Sequence, residues 1–244
     1  MDSRIAYAVA DIGGRYSMED EHILEVDSVE PLRVLGAVFD GHGGSAVARL
    51  AKARFPALFR DDLASGPEKG FRAAFAGIHH ESEGLPGGAA VAAFYIDGST
   101  ITVANTGDSH VALVSGDRAT RLTEEHRITN GAELKRVIEA GATIWGPYVC
   151  LPSGAGIMPT RTVGDHEFAQ IGILHEPAIA SHALAPGFLV AGCDGLWDVV
   201  ATEEFPSLLK AVATAEDAAR RLEHEALHAR KTEDNLTILV VSVA

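Results

Sequence analysis

The chain has 244 residues, 47% of them apolar and 22% charged, a composition typical of a globular protein and not of a disordered one. Its formal net charge of −14 disfavours nucleic acid or an anionic membrane as a partner, because both would repel it. Two cysteines, no membrane-length apolar run and no signal-like amino terminus predict a soluble protein of the cytoplasm or nucleus. We expect a monomer, because no feature of the sequence demands a larger assembly.

Short runs of β-branched and other apolar residues predict eight strands. They cover residues 5–9, 22–26, 34–39, 90–96, 100–104, 111–114, 188–192 and 236–243. Apolar residues spaced three and four apart predict four helices, arranged as two pairs. These residues are Val47, Leu50, Ala51 and Leu58, then Phe71, Ala74, Phe75 and Ile78, then Leu134, Val137 and Ile138, and last Ala218, Ala219, Leu222 and Ala226. Paired helices between blocks of strands predict one α+β domain, residues 1–244, with helices packed outside antiparallel sheets.

Residues 141–159 interrupt this pattern of strands and helices. The stretch contains four glycines and three prolines, which favour turns and exposed backbone. We predict a flexible surface loop or flap here, and we expect it to contribute to substrate specificity because loops often carry binding functions.

Four aspartates stand at the ends of predicted strands. Asp40, Asp108 and Asp194 each follow a strand, and Asp234 precedes the last one. A single aspartate at such a place is usually a turn former. Four of them, each next to glycine or asparagine, are expected to meet at one rim of a sheet, where their charges repel unless cations neutralise them. Oxygen ligands of this kind suit Mg²⁺ or Mn²⁺.

Residues 40–44, Asp-Gly-His-Gly-Gly, join a predicted strand to a predicted helix. The glycines let the backbone approach a ligand closely, so the carbonyl of Gly41 is a candidate metal ligand beside the Asp40 carboxylate. A lone histidine is usually structural or merely exposed. His42 is nevertheless a candidate acid–base residue, because it lies beside the acidic cluster and imidazole titrates near neutral pH.

A second polar segment, residues 15–20, lies between the first two strands and taken alone predicts only a charged hairpin loop. Arg15, however, carries a planar guanidinium that suits phosphate oxygens. Glu19 and Asp20 are expected to add carboxylates to the same rim.

Two other chemistries fit the sequence less well. Residues 224–228 read His-Glu-Ala-Leu-His, the HExxH spacing of a zinc peptidase on a helix. A catalytic zinc needs three protein ligands and His224 and His228 supply only two, so an exposed helix face is the preferred interpretation. A cysteine-based phosphatase is disfavoured because neither Cys150 nor Cys193 has an arginine six residues later.

Seven motifs, taken in order, resemble those of the protein phosphatase 2C family of metal-dependent phosphatases. They are RYSMED at 15–20, DGHGG at 40–44, GDS at 107–109, LTEEH at 122–126, RTVGD at 161–165, DGLWD at 194–198 and DNLT at 234–237. The resemblance implies a central β-sandwich of two antiparallel sheets flanked by pairs of helices, in four αββα layers. It also implies hydrolysis of phosphoserine and phosphothreonine in phosphoprotein substrates.

The resemblance further implies a set of metal ligands. Asp40 would bridge two Mg²⁺ or Mn²⁺ ions. Asp194 and Asp234 would bind one of these ions, and the Gly41 carbonyl would bind the other. Asp108 would help Asp194 to hold a weaker third ion.

The remaining roles implied by the resemblance concern substrate and support. Glu19 would act on an ion directly or through water, with Asp20 and Asn235 in support. Arg15 would hold the phosphoryl group. His42 would be the general acid.

Three places depart from the family pattern. His110 stands where arginine commonly follows GDS, Glu125 replaces aspartate, and Gly87-Gly88-Ala89-Ala90 replaces Gly-Ser/Thr-Thr-Ala. None removes an implied metal ligand, so we expect them to alter local hydrogen bonds rather than the reaction class.

A pseudophosphatase, which keeps the fold as a binding module, is the alternative from a non-enzyme class. A binding module need not keep the full set of charged residues. The presence of Arg15, Asp40, His42, Asp194 and Asp234 together therefore favours the enzyme.

Overall fold

The computed structural model describes residues 2, 4–27 and 31–243, which form two facing antiparallel sheets. The strands of the first sheet are β1 (Ala6–Asp11), β6 (His110–Ser115), β7 (Arg118–Arg121), β13 (Gly187–Gly192) and β14 (Leu236–Val243). Their order is β1-β14-β13-β6-β7. The strands of the second sheet are β2 (Glu21–Asp27), β3 (Arg33–His42), β4 (Gly88–Asp97), β5 (Thr100–Thr106), β11 (Val163–Gly164) and β12 (Ala178–Ala183). Their order is β12-β5-β4-β3-β2, with β11 paired to β4.

Helices cover the outer faces of both sheets. The second sheet is covered by α1 (Ala46–Leu63) and α2 (Pro67–Glu81). The first is covered by α6 (Ala215–His224), together with the short helices α4 (Asp194–Trp197) and α5 (Phe205–Leu208). Two 3-10 helices, His166–Ile171 and Thr202–Glu204, and a π-helical turn, Glu225–Ala229, complete this part of the chain. No helix within the described residues is both long enough and apolar enough to cross a membrane.

The alternation of side chains along each strand produces these layers. In β3, Val34 and Val38 pack between the two sheets, whereas Leu35 and Phe39 pack under α1 and α2. The same period places successive residues of β13 on opposite faces of the first sheet. Because central strands are covered on both sides, β4 is buried along all but its last residue and lacks the polar alternation of an exposed strand.

The four-layer α+β architecture predicted from the sequence is confirmed. All eight predicted strands occur, and most are longer than predicted. The third extends to residue 42, so Asp40, Gly41 and His42 belong to β3 and not to a following loop. The sequence did not predict β7 or β12, which are short or partly polar.

A small subdomain departs from the predicted pairing of helices. The helix α3 (Gly131–Glu139) does not pair with α6, and packs instead in a separate apolar cluster. The partners of α3 include a three-stranded sheet made of β8 (Thr143–Trp145), β9 (Tyr148–Cys150) and β10 (Gly156–Ile157). The segment 141–159, predicted as a loop or flap, therefore contains regular antiparallel pairing.

One buried carboxylate ties this subdomain to the sandwich. Glu133, whose side chain is 2% exposed, accepts hydrogen bonds from Arg136 at 2.6 Å, Thr160 at 2.7 Å and Arg161 at 2.7 Å. Burial by itself raises the pKa of Glu133, but the bonds from Arg136, Arg161 and Thr160 outweigh it and lower the pKa to about 2. The ionised carboxylate of Glu133 therefore holds the segment at Thr160 and Arg161, which leads into the sandwich.

We expect Glu133→Gln to cost about 3 kcal/mol of unfolding free energy at neutral pH, from the difference between a pKa of 4.5 unfolded and about 2 folded. Because the folded pKa is depressed, the contribution is complete above pH 4.5 and disappears as the pH falls towards 2. Urea unfolding at pH 7 and pH 3 measures it. The gap between wild type and variant should shrink by about 2 kcal/mol at the lower pH.

Glu139→Gln is the matched control. Glu139 lies on the same helix but is exposed, and its ion pair with Lys135 is long at 3.8 Å and contributes little to stability. A gap between wild type and Glu133→Gln that did not change with pH would contradict the assignment.

Candidate metal centre

The predicted aspartates converge because strand ends from both sheets meet at one edge of the sandwich. Asp40 lies near the end of β3, and Asp108 lies in the turn between β5 and β6. Asp194 begins α4 one residue after Cys193, which follows β13, and Asp234 precedes β14. Antiparallel pairing brings these ends together, since β13 ends beside the start of both β6 and β14. The result is a cleft of about 930 Å³ lined by all four aspartates.

Three of the carboxylates form a tight cluster. Oxygen atoms of Asp40, Asp108 and Asp194 all lie within 4.8 Å of one another. Burial, then repulsion from Asp194 and other carboxylates, raises the pKa of Asp40 well above its usual range. Burial, then repulsion from Asp108 and Asp234, raises the pKa of Asp194 to about 8. Without a bound cation, the ionised cluster is therefore electrostatically unfavourable.

A second group of ligand atoms within 4.8 Å comprises Asp20, Asp40 and Cys193. Burial raises the pKa of Asp20 to about 6, and its carboxylate accepts a hydrogen bond from the Thr237 hydroxyl at 2.8 Å. Burial and the neighbouring carboxylates raise the pKa of the Cys193 thiol well above its usual value. The thiol is therefore neutral, and it donates to the Asn235 carbonyl at 3.4 Å. These contacts place Cys193 in the packed interior beside the cluster.

Asn235 fixes the backbone that carries Glu19. Its side-chain oxygen accepts the Glu19 amide at 2.8 Å, while its NH₂ group donates to the carbonyls of Ile12 at 2.9 Å and Ser17 at 3.0 Å. A Cβ at Gly41 would lie 2.3 Å from the Glu19 carbonyl oxygen, so only glycine allows the two segments to approach. Glu19 itself accepts the Gly44 amide at 3.0 Å.

Asp234 is not part of the tight cluster. Its carboxylate accepts a hydrogen bond from the Arg15 guanidinium at 2.6 Å, although the two residues are 219 positions apart. Arg15 is well exposed at the rim of the cleft, with 59% of its side chain accessible. The structure thus pairs the predicted phosphate-binding arginine with a predicted metal ligand.

His42 is paired with Asp165, a residue whose role the motif alone does not indicate. Its Nε2 lies 2.6 Å from Oδ2 of Asp165, which also accepts the Thr162 hydroxyl at 2.6 Å. Burial by itself lowers the pKa of His42, but the hydrogen bond and charge of Asp165 raise it above the ordinary value. The signal was present in the sequence as the final residue of the RTVGD motif.

The departures from the family pattern have local explanations. A Cβ at Gly88 would lie 2.1 Å from Oδ2 of Asp165, so glycine at this position makes room for the carboxylate that holds His42. His110 is buried, with Nδ1 2.9 Å from the Thr123 hydroxyl and Nε2 3.8 Å from Glu125. The two unusual residues His110 and Glu125 thus face each other.

The HExxH histidines lie away from this cleft. Helix α6 ends at His224, and His228 lies in the π-helical turn that follows. Their rings contact edge to face at 5.1 Å. The two groups of metal-ligating atoms found among the described residues contain neither histidine.

The residues of the cleft fit hard divalent cations. The donor atoms are carboxylate oxygens, the ligands that Mg²⁺ and Mn²⁺ prefer. Asp40 accepts two long hydrogen bonds, both at 3.4 Å, from the Ser109 hydroxyl and the Asp194 amide. Its lone pairs are therefore weakly used, and a cation would relieve the repulsion that raises its pKa.

Comparisons of the sequence with known proteins all lead to the same family. A family model described as protein phosphatase 2C matches residues 10–236. A probable protein phosphatase 2C 59 of Arabidopsis thaliana is 30% identical over 240 residues, covering 94% of this chain and 76% of that protein. A probable protein phosphatase 2C 45 of Oryza sativa subsp. japonica is 29% identical, covering 94% of this chain and 84% of that protein.

Two solved structures have the same fold. A C. elegans sex determining protein superimposes with a TM-score of 0.83 at 22% identity, covering 97% of this chain and 64% of that chain. A serine-threonine phosphatase 2C from Toxoplasma gondii superimposes with a TM-score of 0.77 at 17% identity, covering 97% of this chain and 94% of that chain. At these identities the likeness concerns the fold of two antiparallel sheets with flanking helices.

Asp40→Asn is expected to shift thermal stability in opposite directions with and without a divalent cation. In chelator the variant should melt above wild type, because an amide removes the repulsion at the centre of the cluster. With Mn²⁺ the wild type should gain about 5–10 °C, as expected for a ligand at roughly 100 times its dissociation constant, and the variant should gain much less. Thermal melts in both conditions measure this.

Asp117→Asn, at an exposed turn between β6 and β7, is the control and should behave as wild type in both conditions. A destabilised Asp40→Asn variant in chelator would show that the carboxylate cluster is not repulsive.

Proposed function

The chain belongs to the protein phosphatase 2C family of serine/threonine protein phosphatases, and on this basis we propose how its residues hydrolyse phosphoserine and phosphothreonine. The observation that supports the proposal is the tight cluster of Asp40, Asp108 and Asp194 in a cleft that also contains Arg15 and His42. Such a cleft combines anionic ligands for cations with a cationic group for phosphate.

Two Mg²⁺ or Mn²⁺ ions are proposed to bind at the cluster. Asp40 would bridge them, Asp194 and Asp234 would hold one, and the Gly41 carbonyl would contribute to the other. Glu19 takes part directly or through water. When bound, the ions supply Lewis-acid chemistry that lowers the pKa of water and neutralises developing negative charge.

Arg15 is proposed to bind the phosphoryl oxygens of the substrate. Its bond to Asp234 uses one of the five N–H donors of the guanidinium, so donors remain for a phosphate. Its exposure at the rim allows the side chain to meet a group that enters from solvent. Asp234 in turn orients the guanidinium towards the cleft.

His42 is proposed to protonate the departing seryl or threonyl oxygen. Asp165 contacts Nε2 of the ring, which leaves Nδ1 to carry the transferred proton. The charge of Asp165 also stabilises the imidazolium form from which the proton is given. Asp165 does not contact substrate in this scheme and is a positioning residue.

The substrates are phosphoproteins, and we propose that the surface around residues 141–159 contributes to their selection. Tyr148, Ile157 and Pro159 from this stretch line the cleft, so a phosphoprotein bound at the proposed centre would lie beside the small sheet. A single domain over residues 1–244, a monomeric state, and a location in the cytoplasm or nucleus stay predictions.

Hydrolysis of a chromogenic phosphate in the presence of Mn²⁺, repeated with chelator, tests the proposed function. Activity that disappears on chelation and returns with Mn²⁺ supports the enzyme. Asp40→Asn serves as the inactive control. An inactive wild-type chain with every divalent ion tried would favour the binding-module alternative. A phosphopeptide panel then identifies preferred substrates.

His42→Ala should lower kcat on a phosphoserine peptide by about 10²–10⁴, the usual contribution of a general acid. It should affect an aryl phosphate much less, because that leaving group departs without a proton. Steady-state kinetics on both substrates measure the difference. His80→Ala, exposed at the end of α2, is the control. Equal losses on both substrates would refute the role.

Asp165→Asn should reproduce this substrate dependence with a smaller loss, roughly tenfold on the peptide, because His42 remains but its orientation and charge are no longer supported. The ratio of peptide to aryl phosphate rates is the readout. A uniform loss on both substrates would mean that Asp165 serves only the fold.

A further inference from the structure

Arg127 lies against the candidate metal centre. It belongs to none of the seven sequence motifs. Its Nε donates to Asp108 at 2.6 Å, and its Nη2 donates to Asp194 at 3.3 Å. The two terminal nitrogens also form a bidentate pair with Asp198, at 2.9 and 3.0 Å. Glu125 lies farther away, at 3.7 Å from Nε. One guanidinium therefore contacts three carboxylates.

This guanidinium is held in place and always charged. The side chain of Arg127 is only 18% exposed, and Asp108 beneath it is 4% exposed. Burial by itself would lower its pKa, but Asp108 and Asp198 outweigh that and raise it above the already high ordinary value. Because all its partners are anions, Arg127 neutralises repulsion on one side of the cluster without any metal.

The guanidinium of Arg127 lies where a third divalent cation would have to bind. The family resemblance assigns Asp108 and Asp194 to a weaker third cation, yet the Oδ2 atom of each accepts a hydrogen bond from Arg127 here. A divalent cation of this kind needs ligand oxygens at about 2.0–2.2 Å, and it would lie next to a fixed positive charge. The residues around Arg127 thus do not fit a third ion while the arginine is present.

We propose that Arg127 takes the place of the third divalent cation, so that the metal centre of this chain holds two ions and one internal guanidinium. The inference rests on the proposed function, because it presumes the two-ion centre at Asp40. Arg127 acts on Asp108 and Asp194 and has no direct contact with substrate.

Counting bound Mn²⁺ by equilibrium dialysis tests the proposal, with wild type, Arg127→Met and Arg121→Met compared. Arg121 is the matched control. It pairs with Glu125 at 3.3 Å and stacks on Trp197, so its loss changes the net charge equally without exposing the cluster. Wild type and Arg121→Met should bind about two ions per chain, and Arg127→Met should gain about one more.

Melting temperature supplies a second readout that does not depend on activity. In chelator, Arg127→Met should melt about 5 °C or more below wild type, because buried carboxylates lose their cation. Added Mn²⁺ should raise its melting temperature by more than it raises that of wild type. Arg127→Gln, whose amide can still donate to the carboxylates, covers the case in which Arg127→Met does not fold. It should also bind the additional ion.

The ion counts test the role of Arg127 and the two-ion centre separately. Three ions on the wild-type chain, or two on a folded Arg127→Met or Arg127→Gln, would overturn the role of Arg127 and leave the two-ion centre intact. Fewer than two ions on wild type would overturn the two-ion centre and this inference with it.

Discussion

The repulsion among buried carboxylates at one edge of the sandwich is the constraint on which the site depends. Oxygen atoms of Asp40, Asp108 and Asp194 lie within 4.8 Å of one another, and partial burial weakens the screening of their charges by water. A protein tolerates such an arrangement when cations are supplied, either as ions or as side chains. The chemistry of the cleft follows from how each negative charge is balanced.

The fold creates this constraint because the two sheets pack with the strand ends that carry the aspartates at the same edge of the sandwich. The strands that carry the acidic residues are central and covered on both sides, so their ends cannot move apart without disturbing the core. Glycine at position 41 lets the segment with Glu19 come close, and Asn235 holds that segment through three hydrogen bonds. Rigid neighbours therefore keep the carboxylates in contact despite their charge.

Side chains around the cluster balance the charges of the site in different ways. Arg15 pairs with Asp234 at the exposed rim, while Arg127 spans carboxylates on the buried side. Asp165 plays the opposite part, since its negative charge favours a protonated His42. Each pairing leaves one chemical task to its residue: binding phosphate, neutralising the cluster or holding a proton.

The sequence alone determined the layers and the chemical type of the site, because apolar periodicity and residue identity are local properties. It predicted the eight strands, the acidic residues at their ends, and candidate roles for Arg15 and His42. It did not reveal the regular structure within residues 141–159, since strands of two or three residues are too short to show a periodic pattern. Only the tertiary structure decided that Asp234 faces Arg15, that Asp165 holds His42 and that Arg127 contacts three aspartates. These pairings join residues far apart in the chain, and they depend on how side chains reach across packed layers, which no spacing along one segment encodes.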